Sequence, residues 1–367
     1  MIRSDAIQSI SIRTVMMSSL LFLGGCMQSM QSVHVSADGH SFQLGHTNAT
    51  FYAWGHNYGH AGALLCDFWI DQFPQIEREF RYAKQSLHAN VLRIHLDTPK
   101  FMRAPDRVDP VQLAQLGKLL KLAEREQIYL DITGLACYRT ADVPKWYDAL
   151  DESHRWAAQA TFWEAIANEC RDSPAVFCYD LMNEPISPGD KRTDGKWYTG
   201  EFGGFSFIQF ITLDPTNRKR EDIAIDWIHQ MKHAIRKHDT QHMITVGQLP
   251  WDKKWGQLSG FMPERVAKEL DFISVHIYPE RGKVQQAIEG LRKFEVGNPV
   301  VIEETFPLAC SADELRQFIE QTRNEVNGFI GHFGGETIEE LERKKDVPRA
   351  LMRSWLILSR DMAPIAK

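Results

Sequence analysis

The stretch VFCYDLMNEP, residues 176–185, is a short apolar run that ends abruptly in an amide, a carboxylate and a proline. A run of this length reads as a buried strand whose last residues emerge into a polar cleft. Pro185 cannot extend a ladder and biases Glu184 toward an extended backbone, so the strand stops where the carboxylate appears. Upstream, strand-like segments at 51–57 (FYAWGHN), 91–96 (VLRIHL) and 128–133 alternate with helical periodicity at 75–89, 110–126 and 151–171. Downstream comes an irregular segment, 186–217, rich in Gly, Lys, Asp and aromatics. A loop this long inside a compact domain is uncommon unless it is functional or disordered. Alternation then resumes with strands at 243–246, 272–278, 300–304 and 329–333 and helices at 220–237, 262–270, 284–294, 312–326 and 347–360.

Eight strand–helix units on a chain of 367 residues predict an α/β fold, a (β/α)8 TIM barrel, with a doubly wound open sheet as the alternative. Two alternating runs around Asp38-Gly39 predict a short β-hairpin ahead of it. No second domain, repeat array or low-complexity linker is visible. The net charge of −6 and the lack of a basic stripe argue against a nucleic-acid partner.

The N-terminus reads as a processing segment. Arg3 and Arg13 precede an apolar run at 15–23 that is too short to span a bilayer and ends in Leu23, Gly24, Gly25 and Cys26. This resembles a bacterial lipoprotein signal, in which cleavage leaves Cys26 to be lipidated; the alternative is an ordinary cleaved signal peptide. Either reading makes residues 1–25 a leader, 26–367 the barrel domain and the protein an exported one, membrane-anchored or secreted. The remaining cysteines, Cys66, Cys137, Cys170, Cys178 and Cys310, form an odd set, so at least one stays free or pairs between chains. Cys178, inside an apolar strand, reads as a small buried hydrophobe.

In a barrel of this kind, polar residues at strand C-termini face the active site. Those ends carry Asn57, Arg93 and His95, Asn183 and Glu184, His276 and Tyr278, and Glu304. In this order, the motifs LRI, LMNEP, VHIYP and PVVIEETF resemble the clan A retaining glycosidases, most closely glycoside hydrolase family 5, the cellulase and β-mannanase family. The resemblance implies a hydrolase acting on β-linked glucan or mannan without a cofactor, with Glu184 as acid/base and Glu304 as nucleophile. It implies that Arg93 keeps Glu304 ionised, that Tyr278 donates to it, that His276 sits nearer Glu184 and that Asn183 holds the sugar 2-hydroxyl. Trp54 and Trp251 are the aromatics expected to stack on sugar, out of a set that includes Trp146, Trp197, Tyr198 and Trp255. His56, His60 and His95 read as ordinary satisfied histidines.

Two positions depart from the family. Thr133 stands near where a polar histidine or asparagine is usual after strand three, and His332 and Phe333 stand where a platform tryptophan usually follows strand eight. That loss motivates an alternative reading, a catalytically reduced surface lipoprotein that holds glycans. A metal-dependent barrel hydrolase is disfavoured because no His-x-His follows strand one. Glu303 adjoins Glu304, and the family's spacing from Pro299 points to Glu304 as nucleophile. Glu303 is then expected toward the helix layer or a neighbouring loop, beside a lysine or arginine.

Overall fold

The computed structural model describes residues 29–47, 49–60, 62–250 and 259–364. The leader with Cys26, and both Trp251 and Trp255, lie outside the described residues. Eight parallel strands close into one barrel: β1 (Ala53–Tyr58), β2 (Val91–Asp97), β3 (Tyr129–Ala136), β4 (Val176–Asn183), β5 (Met243–Gln248), β6 (Ile273–His276), β7 (Val300–Glu304) and β8 (Gly328–Phe333). The open-sheet alternative is excluded by the seam, where β8 pairs with β1 from Gly328↔Ala53 to Phe333↔Tyr58.

The helices form where apolar periodicity meets a stop signal. Pro110–Glu126 starts on Asp109, whose side chain accepts from the Val111 N–H, with Pro at the first helical position. Glu152–Cys170 is capped by Asp151, and Ala312–Thr322 opens with a reciprocal Ser311/Glu314 capping box. Their apolar faces cover the outer face of the barrel in one continuous cluster. Among the described residues, no helix is long and apolar enough to cross a membrane.

The predicted hairpin pairs Val33–Val35 with Phe42–Leu44, and a third strand, Thr50–Phe51, adds to it. It closes the N-terminal end of the barrel. Phe42 packs edge-on against Phe177 at 5.3 Å and Phe272 at 5.2 Å, and Phe51 packs edge-on against Tyr129 at 5.1 Å. With Val91, Met243 and Val301 these rings make an apolar floor, so charged groups higher in the barrel can meet water only at the C-terminal mouth.

Three expectations change. The segment after β4 is more ordered than its composition suggests: Tyr198–Phe202 and Phe205–Phe210 form a hairpin turning on Gly203 and Gly204, both at positive φ. Its second strand captures Pro185–Ile186 as a parallel neighbour. Glu184 is therefore left-handed, φ 46°, rather than extended, because only a sharp turn there carries the chain from β4 onto that hairpin. Trp54 is not a sugar contact: it is 1% exposed and packs against Phe329 between barrel and helices, since it lies early on β1, on the outward face. All five described cysteines are free and buried, and Cys178 sits in the floor cluster.

Candidate active site

β-Bulges shape the mouth. Between β2 and β3 the register moves from His95↔Thr133 to Asp97↔Ala136, leaving one extra residue on β3, where Leu135 is left-handed. Between β4 and β5 it moves from Asp180↔Thr245 to Asn183↔Gly247, and between β6 and β7 from Val275↔Ile302 to His276↔Glu304. A bulge breaks the two-residue alternation and re-aims the side chains that follow it.

The last bulge decides the placement of Glu303 and Glu304. Val301 points into the barrel floor, while Val300 and Ile302 face the helices. Strict alternation would send Glu303 inward and Glu304 outward; the extra residue turns Glu304 back to the mouth while Glu303 stays inside. Glu303 is thus not in the helix layer, although its expected arginine partner is present.

Arg93, wholly buried, is the hub. Its Nη1 donates to Asn57 Oδ1 at 2.8 Å and Glu304 Oε1 at 2.6 Å, and its Nη2 donates to Asp180 Oδ2 at 2.7 Å and Asn183 Oδ1 at 3.0 Å. Glu303 Oε2 lies 3.4 Å from the same Nη2. Room for this convergence comes from Gly247, where a Cβ would stand 2.9 Å from Arg93 Nη2, Glu303 Oε2 and His276 Nε2.

Glu304 also accepts from the Tyr278 hydroxyl at 2.6 Å. That hydroxyl has one proton, so its second contact, His332 Nε2 at 3.0 Å, is a donor to it. Burial alone would raise the Glu304 carboxyl, but the charges of His276 and Arg93 outweigh it and hold the group well below the usual carboxylate range. Glu184 meets His276 Nδ1 through Oε1 at 2.9 Å. An oxygen of Glu184 and one of Glu304 lie within 4.8 Å of each other, with His276 between them. Burial lowers His276, yet the charge of Glu304 and the contacts with Glu184 and Glu303 raise it to about 10.

Of the residues singled out in the sequence, the structure brings Arg93, Asn183, Glu184, His276, Tyr278 and Glu304 together and leaves Trp54 aside. Arg93 and His276 are fully buried, so they touch the two carboxylates rather than the cleft. One N–H of the Asn183 amide donates to the Phe207 carbonyl at 3.0 Å, which leaves the other for a ligand. Thr133 is inside the barrel, donating to Asp180, and Tyr138 takes the rim position instead, 2.6 Å from His95 Nδ1. His95 is satisfied, as expected, but its other nitrogen donates to Asn57 Oδ1 at 3.1 Å, within the site. Asp131 and Asp180 also belong to the cluster, and a reading of strand ends does not reach them. The signal for both is a lone carboxylate in the middle of an apolar strand.

Among the described residues, two groups bring ligand atoms close enough to hold a cation: Glu184, His276 and Glu304, and Asp131, Asp180 and Glu303. The His276 ring already bridges the first, and Arg93 contacts two members of the second.

The sequence profile described as Cellulase (glycosyl hydrolase family 5) matches residues 35–358. Among curated proteins, the chain is 29% identical over 142 residues to mannan endo-1,4-beta-mannosidase 2 of Arabidopsis thaliana, covering 35% of this chain and 26% of that protein. It is 23% identical over 190 residues to mannan endo-1,4-beta-mannosidase A of Podospora anserina, covering 46% and 42%. The chain thus spans less than half the length of these relatives. In structure it is similar to the β-mannanase of the blue mussel Mytilus edulis, with TM-score 0.59, 16% identity, and 91% of this chain and 98% of that one covered. An exo-β-1,4-mannosidase from an Opitutaceae bacterium superposes with TM-score 0.64 at 15% identity, covering 90% and 62%. At such identities the superpositions speak for the fold.

Proposed function

Because the chain belongs to the cellulase family, glycosyl hydrolase family 5, we propose that it is a retaining glycoside hydrolase of β-linked glucan or mannan, with mannan the favoured substrate. The observation that carries this reading is the approach of Glu184 and Glu304 to within 4.8 Å. It suits the roughly 5–5.5 Å carboxyl spacing of retaining enzymes and leaves no room for the water of an inverting one, which needs about 6.5–9.5 Å. The preference for mannan rests on the relatives, whose names are mannan endo-1,4-beta-mannosidases.

In this reading Glu304 is the nucleophile, kept ionised by Arg93 and oriented by Tyr278. One of its oxygens bonds to the anomeric carbon as the glycosidic C–O bond breaks, and Glu184 passes its proton to the leaving oxygen. Glu184 then takes a proton from a water whose oxygen displaces Glu304 from the sugar. The free N–H of Asn183 serves the 2-hydroxyl, a hydrogen bond that strengthens in the transition state.

A fluorinated mechanism-based mannoside followed by peptide mass analysis tests the assignment. The sugar is expected on Glu304, and a label on Glu303 overturns it. Glu184→Ala is expected to keep the first step on aryl glycosides with acidic phenols and to be accelerated by azide. Equal slowing of good and poor leaving groups, with no azide effect, sinks Glu184 as acid/base. A wild type that binds mannan without turning it over would favour the glycan-holding alternative.

The segment ending in Leu23-Gly24-Gly25-Cys26 supports export and a lipid tether at Cys26. Wild type is expected in the detergent phase and Cys26→Ser in the aqueous phase; identical partitioning removes the anchor.

A further inference from the structure

Beneath the mouth, Asp131 on β3, Asp180 on β4 and Glu303 on β7 each place an oxygen within 4.8 Å of the others, and all three are wholly buried. Asp180 is fully served: Oδ2 accepts from Arg93 and from Thr133 at 2.9 Å, and Oδ1 accepts from the Gly247 N–H at 2.7 Å. Glu303 Oε2 accepts from Ser274 at 2.7 Å and faces His276 Nε2 and Arg93 Nη2, each at 3.4 Å. Three oxygens remain without a donor: Glu303 Oε1 and both oxygens of Asp131. An unpaired carboxylate in a dry interior costs several kcal/mol, and close carboxylates relieve it by sharing a proton.

We propose that Asp131 keeps its proton at neutral pH and donates it to Glu303 Oε1, and that this buried acid pair positions His276 as a two-proton donor against Glu184. One proton supplies the missing donor and removes one negative charge. It belongs on Asp131 because Asp131 receives neither Arg93, Ser274 nor a backbone N–H, whereas its two neighbours do. Its ladder partner Cys178 is buried and held as a thiol, able to donate but not to neutralise it. The electrostatics agree in direction: burial and the charges of Glu303 and Asp180 push Asp131 well up despite Arg93, while Arg93 and His276 overcome burial and hold Glu303 at about 2.

Glu303, so fixed as an anion, faces one nitrogen of His276 while Glu184 faces the other. The Glu303 carboxylate and the proton-free Oε1 of Glu184 only accept, so both nitrogens carry protons. The remaining charged or titratable neighbours of His276 are Glu304, which favours the cation, and Arg93, His95 and His332, which oppose it; both histidines are pushed toward neutrality by burial. With Nδ1–H occupying Glu184 Oε1, the proton that Glu184 transfers rides on its other oxygen, and the carboxylate left behind is stabilised by the imidazolium. This last step rests on the reading of Glu184 as acid/base; the shared proton does not.

Infrared spectroscopy of the full chain tests the first half without any turnover. Wild type at pH 7 is expected to show a protonated-carboxyl C=O stretch that Asp131→Asn loses and Glu184→Gln retains. A wild-type spectrum without the band, whether Asp131 is ionised or the three carboxylates clasp a cation, overturns the shared proton, as does a band that survives Asp131→Asn in a Glu184→Gln background. Nitrogen-15 spectra of labelled histidine test the second half. His276 is expected with two ring protons in wild type and in Asp131→Asn, whose amide N–H replaces the hydroxyl donor, and with one in Glu303→Gln. A singly protonated His276 in wild type overturns the positioning role. Loss of that cation removes the support of the carboxylate that Glu184 leaves behind, so kcat/KM in Glu303→Gln is expected to fall far more on glycosides with poor leaving groups than on aryl glycosides with acidic phenols. Equal losses on both, with activity merely reduced, would mean that Glu303 is only structural. A protein that turns over no glycoside removes the catalytic step alone, leaving both spectra to decide the rest.

Discussion

At its N-terminal end the barrel is filled by Phe42, Phe51, Tyr129, Phe177 and Phe272, whereas at and just beneath its C-terminal mouth five carboxylates and the rings of His95, His276 and His332 gather around the guanidinium of Arg93. The floor is apolar: its rings meet edge-on or tilted, and one register shift, between β3 and β4 at Asp131↔Cys178, puts the consecutive residues Phe177 and Cys178 into it. The mouth is irregular, with a bulge beside β3, β4 and β7 and a left-handed Glu184. The two ends depend on each other. A dry floor lowers the dielectric above it, so each hydrogen bond to a carboxylate in the mouth is stronger and each missing one costs more. Stability resides in the apolar end, and chemistry sits at the charged end, where most of the bulges gather and each side chain is over-determined by its neighbours.

Arg93→Met gives the largest expected effect, because it leaves buried carboxylates without their cation. A loss of about 3–5 kcal/mol in urea unfolding is expected, with no detectable glycosidase activity. A stable, active variant would show that the mouth does not need its hub. Phe42→Ala attacks the floor instead, and opening that cluster is expected to cost about 3–5 kcal/mol. Below its melting transition kcat should stay near wild type, and a large fall in kcat would break the division between the two ends.

Gly247→Ala brings the comparison to one methyl group. Arg93, Glu303 and His276 must all give way at 2.9 Å, so about 1–3 kcal/mol of stability is expected to go, with a disproportionate fall in kcat. An unchanged kcat in Gly247→Ala would mean that the cluster has slack. The smallest effect is expected at His88, exposed and left-handed at φ 57° in the loop that leads into the floor end of β2. Relief of about 1–2 kcal/mol of backbone strain outweighs the roughly 0.5–1 kcal/mol entropic cost of glycine. His88→Gly should therefore raise the denaturation midpoint and leave kinetics alone. The same left-handed geometry at Glu184 serves the site and has no such spare gain.

Much of this was legible from short-range pattern. The alternation of period-two and period-3.6 runs yields eight units and hence the barrel, and the Asp38-Gly39 turn yields the hairpin. The rule that strand ends face the site brings together Arg93, Asn183, Glu184, His276, Tyr278 and Glu304. These are local properties, carried by residues a few positions apart. Asp131 and Asp180 were legible in part, since a charge inside an apolar strand needs a partner, but the partner lies on another strand and sequence does not name it.

What the chain alone determined is therefore the order of its elements and the identity of the residues at their ends, because hydrophobic period and turn chemistry act within single segments. Only the tertiary structure decided which faces those residues take. Trp54 turns to the helices because of its distance from the strand end, and Glu184 becomes left-handed because a hairpin strand later in the chain, Phe205–Phe210, captures Pro185–Ile186. Glu303 and Glu304 both reach the interior because pairing with β6 extrudes one residue from β7. Register between strands is a non-local equilibrium, set by every neighbour at once, and a bulge of one residue inverts what alternation alone would assign.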